Sequence, residues 1–577
     1  MPSRSPGAPA LVLAACLGLL LGSCKRSQEA PPAPAPGRAE DRPVPDEHWL
    51  EGRLPPSVLE GTPTSGGTLI VRLHADPPHL SPHVLDPGDL TATRLTLGRI
   101  YEPLMRIDAS DHPRYRLVPG AAESYEESAD HLTYTFKLRE GMRFHDGEPV
   151  SAHDLVATMD KLLDPSLPTA SARSSFLDVQ SYRAVDDLRF EVKLKRPYFL
   201  FFRQVATTLP VMPKHLLEKG DFRTNPIHRA PVGSGPWRFA GWKSLGQIVL
   251  ERNDDYWGRP PHLERLVFRV VPDHTVAAQL FERGEIDLMT QIQPAQWIDM
   301  ARSPRLVTDY HRVRFFPKNY EWVGWNQKRP VFADKRVRKA MALLFDHETF
   351  NRTVLHDLEK PTTCHFWHEG PDCDRLLRPL AYDPKQAERL LEEAGWTDGD
   401  GDGVREKDGA KLRFTFLVSA SSVFLSKLTL FLQESYRKAG IQMDIATAEW
   451  ALFSKRIHER DFDACSMLWG DTDVDSDPFQ VWHSSQAKGG SNFVGFENPR
   501  ADALIEQARV EFDPERRSAL YRELGRILYE EQPYMFLNVR PDLDAVHRKV
   551  KGVRPSLNFY NFDAIWLDEP APRARQE

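Results

Sequence analysis

From Leu132 to Arg139 the chain alternates, with apolar Leu132, Tyr134, Phe136 and Leu138 between polar Thr133, Thr135, Lys137 and Arg139. That two-residue period predicts a half-buried strand. Asp146-Gly147 follows as a turn pair, because glycine tolerates the positive φ that a tight turn demands. Ser151 stands three residues before Asp154, the spacing of a capping box, and opens a predicted helix. Its apolar positions, Leu155, Val156, Met159, Leu162 and Leu163, share one face, and Asp164-Pro165 ends it. Every residue of this unit has a structural task. A charge-relay role for the neighbouring His145 and Asp146 is not required, since side chains adjacent in sequence diverge.

The same grammar recurs downstream. Asp383-Pro384 caps a helix whose inward positions are Ala387, Leu390, Leu391 and Ala394, and Gly395 ends it. "KLRFTFLVS" reads as a strand, followed by a helix to Ala439-Gly440 and the strand "IQMDIATAEW". Strand, helix and strand in that order predict a crossover unit of a mostly parallel sheet, and hence an α/β fold. With 577 residues, two or three such bodies are expected. No repeat of solenoid period is present.

The N-terminal 23 residues read as a secretory signal peptide, with Arg4 before an apolar run from Ala8 to Leu21. Leu21-Gly22-Ser23-Cys24 resembles the bacterial lipobox, in which the cysteine becomes the lipidated first residue. The plainer reading makes Cys24 an incidental thiol beside an ordinary cleavage site. Residues 24–65 are rich in proline and alanine and lack apolar periodicity, as in a tether. The expected location is therefore the periplasm or cell surface, with a membrane-anchored lipoprotein whose bulk is in water. A net charge of −7 argues against nucleic acid as a partner. The 30 Phe, 15 Tyr and 13 Trp suit a large core and also a cleft that holds organic ligands by apolar contact.

Candidate chemistry is sparse. The chain has no Walker-type G-x-x-x-x-G-K-[ST], no H-E-x-x-H and no G-x-S-x-G, and no enzyme, cofactor or resident metal is expected. "CHFWHEGPDC" offers Cys364, His365, His368 and Cys373 as a zinc set, or a Cys364–Cys373 disulfide. The envelope location favours the disulfide, leaving Cys465 as a buried free thiol. Asp398, Asp400 and Asp402 begin like a calcium loop, but Gly409 stands where the closing glutamate belongs, so the segment reads as an acidic turn.

Several blocks, taken in order from Gly66 to about Pro570, resemble extracellular solute-binding protein family 5, the oligopeptide- and dipeptide-binding lipoproteins of ABC importers. They include "LTYTFKLREGMRFHDGEPVSAHDLVATMDKLLDP", "PVGSGPWRFAGWKSLGQIVLERNDDYWG", "NQKRPVFADKRVRKAMALLFDHE" and "GFENPRADALIEQARVEFDPERRSALYRELGRILYEEQPYMFL". The resemblance implies a periplasmic binding protein type II-like fold of two hinged lobes with mixed sheets and an inserted smaller α+β domain. Lobe I would combine 66–106, 230–320 and 533–577, with the inserted domain at 107–229 and lobe III at 321–532. Hinge crossings would lie near Tyr320 and Pro533. It further implies a monomeric receptor that captures peptides, or another small solute, and delivers them to an ABC transporter permease. In peptide-binding members an aspartate of lobe III takes the peptide α-ammonium, and Asp471 matches it by position. The competing reading makes Asp471 the start of a solvated acidic loop with Asp473, Asp475 and Asp477. Trp469, Trp482 and His483 flank that loop, and Tyr320 and Trp322 lie at the first crossing. These aromatics are candidate ligand contacts, although core packing competes for each. Other readings are a metal chelate or sugar oligomer as solute, and a sensory or envelope lipoprotein without transport.

Overall fold

The alternating stretch forms the strand Thr133–Leu138, with Tyr134, Phe136 and Leu138 buried. It pairs antiparallel with Ala122–Glu127 on one side and Arg189–Leu194 on the other, and Val179–Ala184 completes a four-stranded sheet. Gly147 has φ +93°, as the turn requires. The helix Ala152–Leu163 then starts with Asp154 accepting the Ser151 backbone N–H at 2.8 Å. Leu155, Met159 and Leu162 are buried beneath it, while Val156 and Leu163 are half-buried. The computed structural model describes residues 61–568 apart from 83–84, 86–89, 112–113, 421, 472 and 558. The expected signal peptide, Cys24 and most of the expected tether lie outside the described residues. No helix among the described residues is long and apolar enough to cross a membrane.

A second sheet has seven strands, in the order Tyr310–Phe315, Asp542–His547, Leu288–Met289, Thr68–Leu73, Arg265–Val270, Gln247–Arg252 and Trp237–Lys243. Thr68–Leu73 runs parallel to both neighbours, and the outer pairs are antiparallel. The third sheet has five strands, in the order Gln442–Ala448, Arg413–Ser419, Ala464–Gly470, Asn319–Trp325 and Tyr534–Phe536. Its first three strands are parallel and include the predicted crossover, with the helix Val423–Lys438 between Arg413–Ser419 and Gln442–Ala448. Asn319–Trp325 and Tyr534–Phe536 join antiparallel, so both large sheets are mixed and not mostly parallel. The reversal follows from where these strands enter, since each connects across to the seven-strand unit. Val323 and Trp325 pack on one face of the five-strand sheet, and Tyr320 and Trp322 on the other.

The four-strand unit is fastened to the seven-strand unit by the loop that opens the helix. His145 donates its backbone N–H to the Gly233 carbonyl at 2.8 Å, and its Nε2 lies 3.0 Å from the Gly235 carbonyl. Burial pushes this imidazole down to about 4, so it is neutral and donates from Nε2. Asp146 turns instead to His215, with Oδ2 2.7 Å from Nε2. The glycines are needed for close approach, because a Cβ on Gly233 would stand 1.9 Å from the Ile100 carbonyl oxygen. Histidine and aspartate are thus a fastening and not a relay.

Between the seven-strand and five-strand units the chain passes twice, from Phe315 to Asn319 and from Val539 to Asp542. One side chain joins the two passages. Asn319 Nδ2 donates to the Arg540 carbonyl at 2.8 Å, and the Arg540 N–H donates to Asn319 Oδ1 at 2.9 Å.

Candidate functional site

The strands Asn319–Trp325 and Ala464–Gly470 pair antiparallel with Asn319 opposite Gly470, so one end of this ladder lies at the seam beside the crossings. The register places Tyr320 opposite Trp469 and Trp322 opposite Met467. These residues enter one aromatic cluster within the five-strand unit. Trp322 stacks on Tyr534 at 3.8 Å and lies 6.2 Å from Trp469, while Trp482 lies 4.5 Å from Tyr534. Tyr320 OH is 2.7 Å from His365 Nδ1. Trp322 and Trp482 are fully buried, Tyr320 is buried and Trp469 is half-buried. The structure therefore gathers Tyr320, Trp322, Trp469 and Trp482, but as a packed floor beneath the seam. His483 is separate from it, stacked on Phe479 at 4.5 Å with Nε2 3.4 Å from Glu506.

Beyond Gly470 the acidic loop is paired with cations of the chain, although Asp471 keeps 46% of its side chain exposed. Lys318, 6% exposed, donates from Nζ to Asp471 Oδ2 at 3.0 Å and to the Asp475 carbonyl at 2.6 Å. Arg203, on the helix Phe201–Thr208 of the four-strand unit, pairs with Asp473 and reaches within 3.7 Å of Asp475. The same guanidinium donates to the Tyr115 carbonyl at 2.9 Å. Burial pushes the Asp473 carboxyl up to about 6, against the opposing pull of Arg203. Asp477 accepts from Arg509 Nε at 2.8 Å and from Tyr198 OH at 2.9 Å. Arg509 also lies over the rings of Tyr198 and Phe479, and Arg517 over Phe199. The Tyr198-Phe199 tip of the four-strand unit is thus held between two arginines of the five-strand unit.

At the crossings lies a second polar group. Glu321 is 2% exposed and Glu359 is 9% exposed, two buried carboxyls close enough to alter one another's proton affinity. Burial pushes both above the ordinary carboxylate range. Arg540 stands 3.8 Å from Glu321. Glu359 and Arg540 also line a cavity of about 460 Å³ between the units, with His74, His274, Lys427 and Asp542. Arg72, fully buried, places its guanidinium 3.2 Å from His74 Nδ1 and 3.3 Å from His274 Nδ1, which orients both rings.

Cys364 and Cys373 are joined by a disulfide, with Cα atoms 5.8 Å apart, and Cys465 is a buried free thiol. The disulfide loop carries Trp367 across the seam, where it is 4% exposed within the core of the seven-strand unit and 5.9 Å from Tyr115. In the acidic turn, Asp398, Asp400 and Glu406 converge, and Lys411 Nζ lies 2.7 Å from Asp400 and 3.2 Å from Glu406.

Lys318, Arg203, Arg509, Arg540 and Glu359 were not among the sequence candidates. Lys318 had no local signal, since only the register of Asn319 against Gly470 sets it beside Asp471, 153 residues away. Arg203 had none either, because its partners lie about two hundred and seventy residues away.

The family model for bacterial extracellular solute-binding proteins, family 5, matches residues 116–491. The chain is 30% identical over 526 residues to the oligopeptide-binding protein AppA of Bacillus subtilis, covering 88% of this chain and 93% of that one. It is 26% identical over 466 residues to the nickel-binding periplasmic protein of Escherichia coli, covering 79% and 86%. Among solved structures, AppA in complex with a nonapeptide aligns with a TM-score of 0.73 at 28% identity, covering 88% of this chain and 100% of that one. NikA from Brucella suis in complex with Fe(III)-EDTA aligns with a TM-score of 0.76 at 26% identity, covering 87% and 99%. The mixed sheets, the twice-crossed seam and these matches lead to one conclusion: this chain belongs to the bacterial extracellular solute-binding proteins, family 5.

Proposed function

We propose that this protein is an extracytoplasmic receptor that captures peptides between the seven-strand and five-strand units and delivers them to an ABC transporter permease. The observation that carries this reading is the strand pair ending at Asn319 and Gly470. It stands at a seam between two bodies joined by two passages of chain, where an extended peptide can add main-chain bonds while pockets take its side chains. Closure is a rotation about the crossings, and the contacts of Arg203, Tyr198 and Trp367 across the seam belong to the closed state. The lobes are those expected from the sequence except at the second crossing, which lies at 539–542 and not near Pro533 because Tyr534–Phe536 is part of the five-strand sheet, and the four-strand unit travels with the seven-strand unit. Cys24 carries the lipid anchor and residues 24–65 the tether. No covalent step is involved, only capture, closure, docking and release.

A non-peptide solute such as a metal chelate is the second reading, favoured by the similarity to a nickel-binding relative. Native mass spectrometry of the chain after Cys24, as purified and after mild denaturation, separates the two. A ladder of peptide masses is expected; a single non-peptide mass would overturn the peptide reading and leave the receptor role.

A further inference from the structure

The four carboxylates at the end of the Ala464–Gly470 strand already have cations of the chain's own. Asp471 has Lys318, Asp473 has Arg203, Asp475 has Arg203 and Arg517 within 4.0 Å, and Asp477 has Arg509. On its open side Asp471 borders a cavity of about 260 Å³ whose wall also includes Arg196 and Arg509. Arg196 and Arg509 are themselves paired with Asp178 and Asp477 in the same wall, so it is Lys318 that opposes an ammonium group arriving at Asp471, as like charges brought together disfavour binding.

Nor is Lys318 free to step aside. It is 6% exposed, and two of its three N–H donors are engaged, one by Asp471 and one by the Asp475 carbonyl. Its backbone carbonyl accepts the Asp471 N–H at 2.9 Å. Both residues sit on ends of paired strands in the same sheet, so rotation about the crossings leaves the pair intact.

We propose that Lys318 is a specificity residue: it supplies from within the chain the cation at Asp471, so the site accepts peptides without reading a free N-terminal ammonium, including N-acylated ones. This rests on the peptide reading above. A ligand is then held by its backbone and side chains, and its amino end is neither required nor rewarded.

The test is titration calorimetry with a co-purifying peptide and its Nα-acetyl derivative, on the chain after Cys24. The native protein is expected to bind both within about threefold, and Lys318→Met to favour the free amine by about tenfold or more. A native preference of more than about tenfold for the free amine, or an unchanged ratio in Lys318→Met, would overturn the proposal. Lysine acetylation read by mass spectrometry gives a second measurement that needs no peptide. Lys318 should label far more slowly than Lys328, whose side chain is 58% exposed, with and without ligand. Labelling of Lys318 at the rate of Lys328 would likewise overturn it. If neither peptide binds but Lys318 stays shielded, the peptide reading falls while the internal ion pair stands.

Discussion

Arg203→Met is the most direct probe of closure. Arg203 and Asp473 belong to different units, and their side chains are 14% and 18% exposed. Removing one partner of a buried pair costs about 3–5 kcal/mol, mostly from the charge left behind. Here that charge regains water when the units part, so the cost falls on the closed state alone. Discounting for the residual exposure leaves about 2–3 kcal/mol, or roughly 30- to 150-fold weaker ligand binding, carried chiefly by faster release. Calorimetry and stopped-flow tryptophan fluorescence with a co-purified peptide measure both. Two further results must agree. Arg203→Met with Asp473→Asn should recover binding to within about 1 kcal/mol, because the orphaned charge is gone. Asp473, which burial raises to about 6, is an ionised partner at neutral pH and takes up a proton on closing only in mildly acidic solution. Its contribution to closure is therefore greatest in acid and is lost as pH rises through that value, so acidification should narrow the defect of the single variant. An affinity within about twofold of native, or a loss that Asp473→Asn does not repair, would refute the latch.

Three other outcomes follow from the same geometry. Glu321 and Glu359 have raised carboxyl affinities for protons, so their stability is full below the ordinary carboxylate range and is lost as pH rises through the raised values. The Tm should fall from mildly acidic to alkaline pH, and Glu359→Gln should flatten that slope by about 1–2 kcal/mol; an unchanged slope would dismiss the pair. Gly233→Ala, whose Cβ would meet the Ile100 carbonyl oxygen at 1.9 Å, should destabilise the fold. The expected loss is more than about 2 kcal/mol in urea unfolding, and a neutral result would show that the His145 loop can shift. Cys364→Ser with Cys373→Ser should cost about 2–3 kcal/mol and weaken ligand binding by releasing Trp367, both read from Tm with and without peptide.

Local structure was largely legible in the sequence, because period and capping act within a few residues. The alternation at Thr133–Leu138 and the boxed helix start at Ser151 needed nothing beyond their neighbours. Strand direction was legible only where a crossover helix dictates it, as for the parallel pair Arg413–Ser419 and Gln442–Ala448. Asn319–Trp325 reads as a strand in any sheet, and only its link to the seven-strand unit makes it antiparallel. The candidate site divides in the same way. Tyr320, Trp322, Trp469 and Trp482 were found as aromatics near one place, but whether a ring faces ligand or another ring depends on packing from Tyr534 and His365, distant in sequence. The sequence left Asp471 open between a peptide-ammonium partner and the start of a solvated loop, since the loop's own cations come from residues 203, 318, 509 and 517. Charge balance is a property of the assembled seam, and composition alone cannot show it.

The clasp of Asn319 on Arg540 bears on what the transport partner can perceive. Two independent threads would let the bodies slide, twist and tilt. Tied at one point, they leave a single axis, as in a door with one pin. A joint of that kind fixes the axis and leaves the angle to whatever meets across the seam, so cargo of different length would be met by different degrees of turning. The outer face offered to the proposed permease would then carry a trace of the load on a single coordinate.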